Sequence, residues 1–255
     1  MTCWGLERVR WDPSRDGYPR HMSTDESQPL DVSPAYELVV NRLRKAIHLG
    51  TLRPGDKLPP ERLHAVQLGV ARVTLRGAIR VLESEGLIRI SRGATGGAQV
   101  VEKRVPKELL RQELAGRIDE LQAIVDFRLA NERCAAERAA SRVTPEDLEA
   151  LELSIVALKA STSTGEFRQA DTMFHLHVAK MAQSPLLYDA VETGRVAMFM
   201  PLDLLDLELM HAESLRAHRR ILNALKEGSA KKAGRAMEQH LSRTRTDLEQ
   251  DLGLV

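Results

Sequence analysis

Cysteine is almost absent from this chain of 255 residues: only Cys3 and Cys134 occur, far apart and without CxxC spacing. A disulfide framework and a zinc ribbon are thereby excluded. Aromatic residues are scarce, at 4%, yet 43% hydrophobic and 29% charged residues are ordinary for a globular protein and too apolar for a disordered one. Long hydrophobic runs are missing as well. The longest, Val196 to Met210, is interrupted by Pro201, Asp203, Asp206 and Glu208, far short of the roughly 20 clean residues of a membrane helix. The first residues carry no apolar stretch of signal-peptide type, so a cytoplasmic protein without membrane contact is expected. Residues 1–33 lack any period and are expected to form a disordered arm, with Met22 an alternative start to Met1. No GxSxG, HExxH, Walker or dinucleotide motif occurs, and nothing points to a catalytic nucleophile.

The near-neutral formal charge of +1 conceals a split. From Pro34 to Lys103 there are 12 basic residues against six acidic ones, whereas the chain from Arg104 onward is acidic. A polyanion would bind the first part. Leu38, Val39, Leu43 and Ile47 recur at helical spacing, predicting a helix over 35–49 stopped at Gly50. A second helix is predicted from Pro60 through Gln67, a tight turn at Leu68-Gly69-Val70, and a third helix over 71–85 with Gly86 as its stop. Val70, Val73, Ile79, Leu82 and Leu87 are its candidate core residues. Short strands over 87–90 and 98–101 flank a Gly-rich turn, completing a winged helix-turn-helix with a β-hairpin wing. In such a unit the helix after the turn enters a major groove. Arg62, Arg72, Thr74 and Arg76 are then the candidate DNA contacts, with Arg92 and Gly93 of the hairpin loop reaching the backbone. A solvated arginine-rich face is the plainer alternative.

The acidic part reads as helices over 106–117, 119–141, 144–161, 165–183, 185–203, 207–227 and 229–252, an antiparallel bundle of about six to seven helices. Thr144 and Ser229 supply capping hydroxyls. Asp171 and His175 stand four apart on one helix and so share a face, while His218 and His240 lie on the last two helices. Three imidazoles and a carboxylate suit zinc, nickel, manganese or iron; a surface hydrogen bond between Asp171 and His175 is the alternative. His177 faces away, and His48, His64 and His211 read as surface residues. Arg128, costly to bury unpaired, pairs either with Glu132 one turn later or with a bound acid. Met173, Met181, Met198, Met200, Phe174 and Phe199 read as bundle core.

Three stretches, Gly50-Thr51-Leu52-Arg53-Pro54-Gly55-Asp56-Lys57-Leu58-Pro59-Pro60-Glu61-Arg62-Leu63, Leu68-Gly69-Val70-Ala71-Arg72-Val73-Thr74-Leu75-Arg76 and Leu82-Glu83-Ser84-Glu85-Gly86-Leu87-Ile88, resemble the DNA-binding domain of GntR-type bacterial transcription regulators. The helical remainder, with Arg128, Glu132, Asp171, His175, His218 and His240 in that order, resembles the FCD ligand-sensing domain of the FadR subgroup. The resemblance implies a mainly α protein with a DNA-binding domain at 34–103 and an effector, metal and dimerisation domain at 106–252. It further implies a homodimeric repressor of a palindromic operator, responsive to a small organic acid. By the same resemblance Asp171, His175, His218 and His240 hold a divalent metal, zinc first, and Arg128 anchors an effector carboxylate. Ala71 stands where the family usually has Ser, and Gly77 where it usually has Glu. A metal-dependent hydrolase using the same four residues and a nonspecific nucleoid protein are the competing readings.

Overall fold

The computed structural model describes residues 35–93, 96–102 and 106–254; the expected arm, Ala94, Thr95 and Lys103 lie outside them. Helix α1 (Ala35–His48) buries Val39, Val40, Leu43 and Ile47 and leaves Leu38 exposed. Pro60 precedes α2 (Glu61–Leu68), and Gly69, at φ 68°, turns the chain in the left-handed region that a side chain resists. Helix α3 (Arg72–Ser84) starts after Ala71 without a side-chain cap and buries Leu75, Ala78, Ile79 and Leu82. Strands β1 (Ile88–Ser91) and β2 (Gly97–Val100) pair antiparallel, with Ile88 opposite Val100 and Ser91 opposite Gly97. Two expectations fail here. Val73 is 77% exposed rather than core, because the inner face of α3 is filled by the Leu75, Ala78, Ile79 and Leu82 stripe. His64 is buried on the inner face of α2, not on the surface.

Among the described residues seven further α-helices follow: α4 (Lys107–Ala115), α5 (Ile118–Ala139), α6 (Pro145–Ala160), α7 (Thr164–Met181), α8 (Pro185–Ala197), α9 (Leu207–Lys226) and α10 (Ala230–Asp251). Their starts are set locally. Thr144 and Asp147 form a reciprocal capping box, Ser163, Ser184 and Ser229 each accept one backbone N–H, and Asp206 accepts two. Helix α5 packs on α7, α8 and α10, and α9 packs on α6 and α10. Their shared core includes Phe174, Val178, Met181, Ile221, Leu225 and Met237. The helix expected over 185–203 instead ends at Ala197 and resumes as a 3-10 turn, Pro201–Leu204, since proline lacks the N–H that a continuing helix needs. Met173 is 38% exposed, not core.

That break redirects Phe199. Rather than filling the bundle, it joins the α1–α3 core, with Met200 packed beside it. His48 therefore has a partner that its sequence neighbours do not reveal: its ring lies 3.9 Å from that of Phe199 at an interplanar angle of 10°. The guanidinium of Arg168 sits 4.0 Å from the same ring centroid and pairs with Asp203. His211 likewise is not simply solvated, as its Nε2 lies 2.7 Å from the Leu158 carbonyl.

Burial, with Arg168 and Arg44 nearby, pushes the His48 imidazole down to about 4, against the opposing influence of Glu85 and the Val196 carbonyl. In the unfolded chain it protonates near its ordinary 6.5, so between those values the unfolded state binds the extra proton and stability rises with pH. The contribution is complete above about pH 6.5 and lost as pH falls toward 4. Because the ring keeps part of its surface in water, the loss is about 1–3 kcal/mol. Thermal melts of wild type and His48→Gln at pH 7 and 4.5 should show the larger drop in wild type; equal drops would refute it.

Candidate metal centre and DNA-binding surface

Five helices converge on one buried polar cluster. Helix α7 supplies Asp171 and His175, one turn apart; α9 supplies His218 and α10 supplies His240. All four are buried, and one ligand atom from each lies within 4.8 Å of the others. His218 Nε2 is 3.3 Å from Asp171 Oδ1, and the Nε2 atoms of His240 and His175 are 3.3 Å apart. His218 stacks on Phe174 at 3.9 Å, which fixes its ring plane.

A surrounding set of charges orients these groups. Helix α5 repeats the one-turn spacing: Arg128 Nε donates to Glu132 Oε1 at 2.7 Å, and the other Glu132 oxygen faces His175 Nδ1. That leaves His175 Nε2 directed toward the cluster, as in a carboxylate–histidine–metal arrangement. From α8, Arg195 donates to Asp171 Oδ2 and, at 3.1 Å, to the Thr172 hydroxyl. Residue 194 must be glycine for this packing, because a Cβ there would lie 2.8 Å from Arg128 Cγ. Burial opposes the charge on Asp171, but Arg195 and the neighbouring histidines hold its carboxyl well below the usual range. Glu132 is likewise lowered against its burial, by Arg128, His175 and Arg195. Burial pushes His218 down to about 4 despite Asp171, and His240 well below its ordinary value. Neutral imidazoles keep a nitrogen lone pair for a cation.

The residues fit a divalent ion on a direct observation: the buried Nε2 of His218 meets Asp171 Oδ1 at 3.3 Å without good hydrogen-bond alignment, and its buried Nδ1 makes no hydrogen bond. An unsatisfied buried nitrogen is costly unless something else binds it. Beside the cluster, Arg128, Arg195, His240, Ser214 and Thr244 line a cavity of about 30 Å³. Sequence reasoning found the four clustered residues and Arg128, but missed Arg195 and the contact of Glu132 with His175. No local signal marks Arg195, because its partner Asp171 lies on another helix.

On the other module, Arg62, Arg72 and Arg76 are exposed and Thr74 is half-buried. Arg76 Nη2 meets Glu61 Oε2 at 2.7 Å, joining α3 to the start of α2. Its guanidinium holds the Glu61 carboxyl below its ordinary range. Arg92 and Gly93 lie exposed just beyond β1. The two modules touch through Phe199, through an ion pair of Lys45 with Glu192, and at Gly50, whose φ is 75° and where a Cβ would lie 2.8 Å from the Gln169 backbone of α7.

Among the described residues no helix is long and apolar enough to cross a membrane. Residues 35–96 match the family described as bacterial regulatory proteins, gntR family, and residues 123–243 match the FCD domain. The Uxu operon transcriptional regulator of Escherichia coli strain K12 is 32% identical over 228 residues, spanning 84% of this chain and 86% of that protein. The Uxu operon regulator of Haemophilus influenzae is 30% identical over 228 residues, spanning 85% and 83%. The solved structure of McbR/YncC from E. coli, 21% identical, aligns over 85% of this chain and 98% of that one with a TM-score of 0.54, a likeness of fold. These matches are to regulators, so the hydrolase reading falls away. The chain belongs to the GntR family of bacterial regulators, in its FCD-containing subgroup, and is a DNA-binding transcription regulator rather than an enzyme.

Proposed function

We propose that this regulator is a cytoplasmic homodimeric repressor that holds a palindromic operator and releases it when a small organic acid reaches a divalent metal in its bundle. Residues 34–103 carry the DNA contacts and 106–252 the effector site and dimerisation. The observation behind this reading is the buried convergence of Asp171, His175, His218 and His240, each offering one ligand atom within 4.8 Å of the others. Those four residues would hold the ion, and three imidazoles with a carboxylate favour zinc, ahead of nickel, manganese or iron. When bound, the ion supplies a Lewis-acidic anchor for an oxygen ligand.

Charge argues for an acid. Arg128 and Arg195 already offset Glu132 and Asp171, so a divalent ion adds positive charge that burial penalises until an anion enters. Arg128 anchors the effector carboxylate from the cavity wall. With only about 30 Å³ available, an entering acid is small and displaces its surroundings. Displacement can reach the DNA-binding module along α7: Arg168, one turn before Asp171, packs on Phe199, which packs on His48 of α1. Meanwhile Arg72, Thr74 and Arg76 face a major groove, Arg62 braces the backbone, and Arg92 with Gly93 extends along it.

The test is a titration of the full-length protein against its upstream intergenic DNA with excess competitor, at fixed salt, with and without metal and small carboxylic acids. Binding by two chains per site that an acid weakens 5- to 150-fold supports the reading; indifference to every metal and acid sinks the sensor. Phe199→Ala should keep metal, acid and operator binding while losing most of that acid response. An unchanged response would rule out the Phe199 route.

A further inference from the structure

Two features on the outer face of α3 have no explanation among the described residues. Val73 is 77% exposed, although the buried Leu75, Ala78, Ile79 and Leu82 stripe leaves no place for it within the fold. Gly77, four residues on, has no described atom beyond its chain neighbours and its own helix backbone within 4 Å of the position a Cβ would take, and its backbone is ordinary helix. Nothing in the fold requires glycine there, and glycine is a poor helix residue. Val73, Arg76, Gly77 and Arg80 follow the i, i+3, i+4, i+7 spacing of a single stripe. Within it, an exposed apolar side chain and a bare backbone position alternate with the exposed arginines Arg76 and Arg80. Such an arrangement suits a polyanion whose interior edges are partly apolar. In a major groove that apolar element is the C5-methyl group of thymine.

We propose that Val73 packs on a thymine methyl in each operator half-site and that Gly77 is kept bare so that the backbone of α3 can approach the neighbouring base pair. This rests on the placement of α3 in the major groove and adds to it a specific base preference. Valine offers no hydrogen bond, so discrimination at that step comes from the methyl group alone, while the arginines read or clamp adjacent positions.

The experiment begins by selecting duplexes from a randomised library with the full-length protein, and then replaces each thymine of the selected site singly by deoxyuridine, which removes only the methyl group. Loss of one buried methyl corresponds to about a fourfold weakening per half-site. That loss is expected at one position per half-site in wild type and should vanish in Val73→Ala, a non-additive pair. Gly77→Ala should raise Tm, as replacing a helix glycine with room for a Cβ does, yet weaken operator binding at least fivefold. A flat deoxyuridine series, or the same series in wild type and Val73→Ala, overturns the thymine contact. A Val73→Ala protein whose dimer weakens while its deoxyuridine series is unchanged overturns it in favour of a protein contact. Gly77→Ala that binds as well as wild type overturns the close approach. Failure to select any sequence overturns operator binding itself and this contact with it, and is distinguishable from a selected site with a flat series.

Discussion

Stripping a divalent ion from the proposed centre should lower the melting temperature by roughly 10 °C, and His218→Ala should abolish the effect of adding it back. A ligand that binds the folded chain alone, at a thousand times its Kd, stabilises by about 4 kcal/mol. For a folded unit of this size, 1 kcal/mol moves Tm by about 2–4 °C. Both ring nitrogens of His218 are wholly buried and poorly satisfied, Nε2 meeting Asp171 Oδ1 at 3.3 Å without good alignment, so the metal-free state retains part of that penalty. His218→Ala also leaves a gap beside Phe174, on which the ring stacks, and costs about 2–4 kcal/mol by itself. A lower Tm in the variant is therefore uninformative; the response to metal is what separates the two roles. Wild type stripped by a chelator should recover on adding zinc, and its metal content should return to one ion per chain, whereas His218→Ala should do neither. Glu132→Gln gives a second, milder reading. It leaves the four candidate ligands intact but weakens the hold on His175 Nδ1, and loss of such an orienting carboxylate typically costs 10- to 100-fold in metal affinity. Zinc stoichiometry unaltered in both variants would dismiss the assignment.

Features governed by neighbours within one turn were legible in the sequence. The Thr144 and Ser229 caps, Gly69 and Gly86 at their turns, and the pairs Asp171/His175 and Arg128/Glu132 all follow from spacing, because three or four residues set one helical face. Features governed by distant contacts were not. Phe199 lies in the same apolar stretch as Met198, but Pro201 ends helical continuity, and the chain sends one side chain into the bundle and the other into the α1–α3 core. Arg195 pairs across helices with Asp171, a contact that no local pattern encodes. Val73 shows a different ambiguity: an apolar residue in the first turn of a recognition helix serves the core or a groove, and only its 77% exposure separates them. Thus the four clustered residues could be picked out from order and spacing, while Arg195 and the residues that link the cluster to the DNA-binding module could not.

Arg72→Ala and Arg76→Ala should each weaken specific operator binding by about 1–3 kcal/mol per recognition helix, and by about twice that if a dimer engages two half-sites as proposed. Both residues are exposed on α3, so their removal leaves the core intact and should change stability by no more than about 0.5 kcal/mol. Arg76 needs a further control because it is tied to Glu61 at 2.7 Å. A merely structural pair would make Arg76→Ala and Glu61→Gln equivalent, both altering how α2 meets α3. A base contact makes them unequal: Glu61→Gln keeps the guanidinium and loses only its positioning, so its effect on affinity should be the smaller. Salt distinguishes the remaining possibility. An arginine that only neutralises phosphate lowers the slope of log affinity against log salt by about one and weakens every sequence alike, whereas one that reads a guanine leaves that slope nearly unchanged and relaxes the preference at one position. Binding measured at several salt concentrations on the selected operator and on a scrambled duplex gives both quantities. Wild-type affinity in both arginine variants would take α3 out of the groove, and with it the placement of Val73 and Gly77.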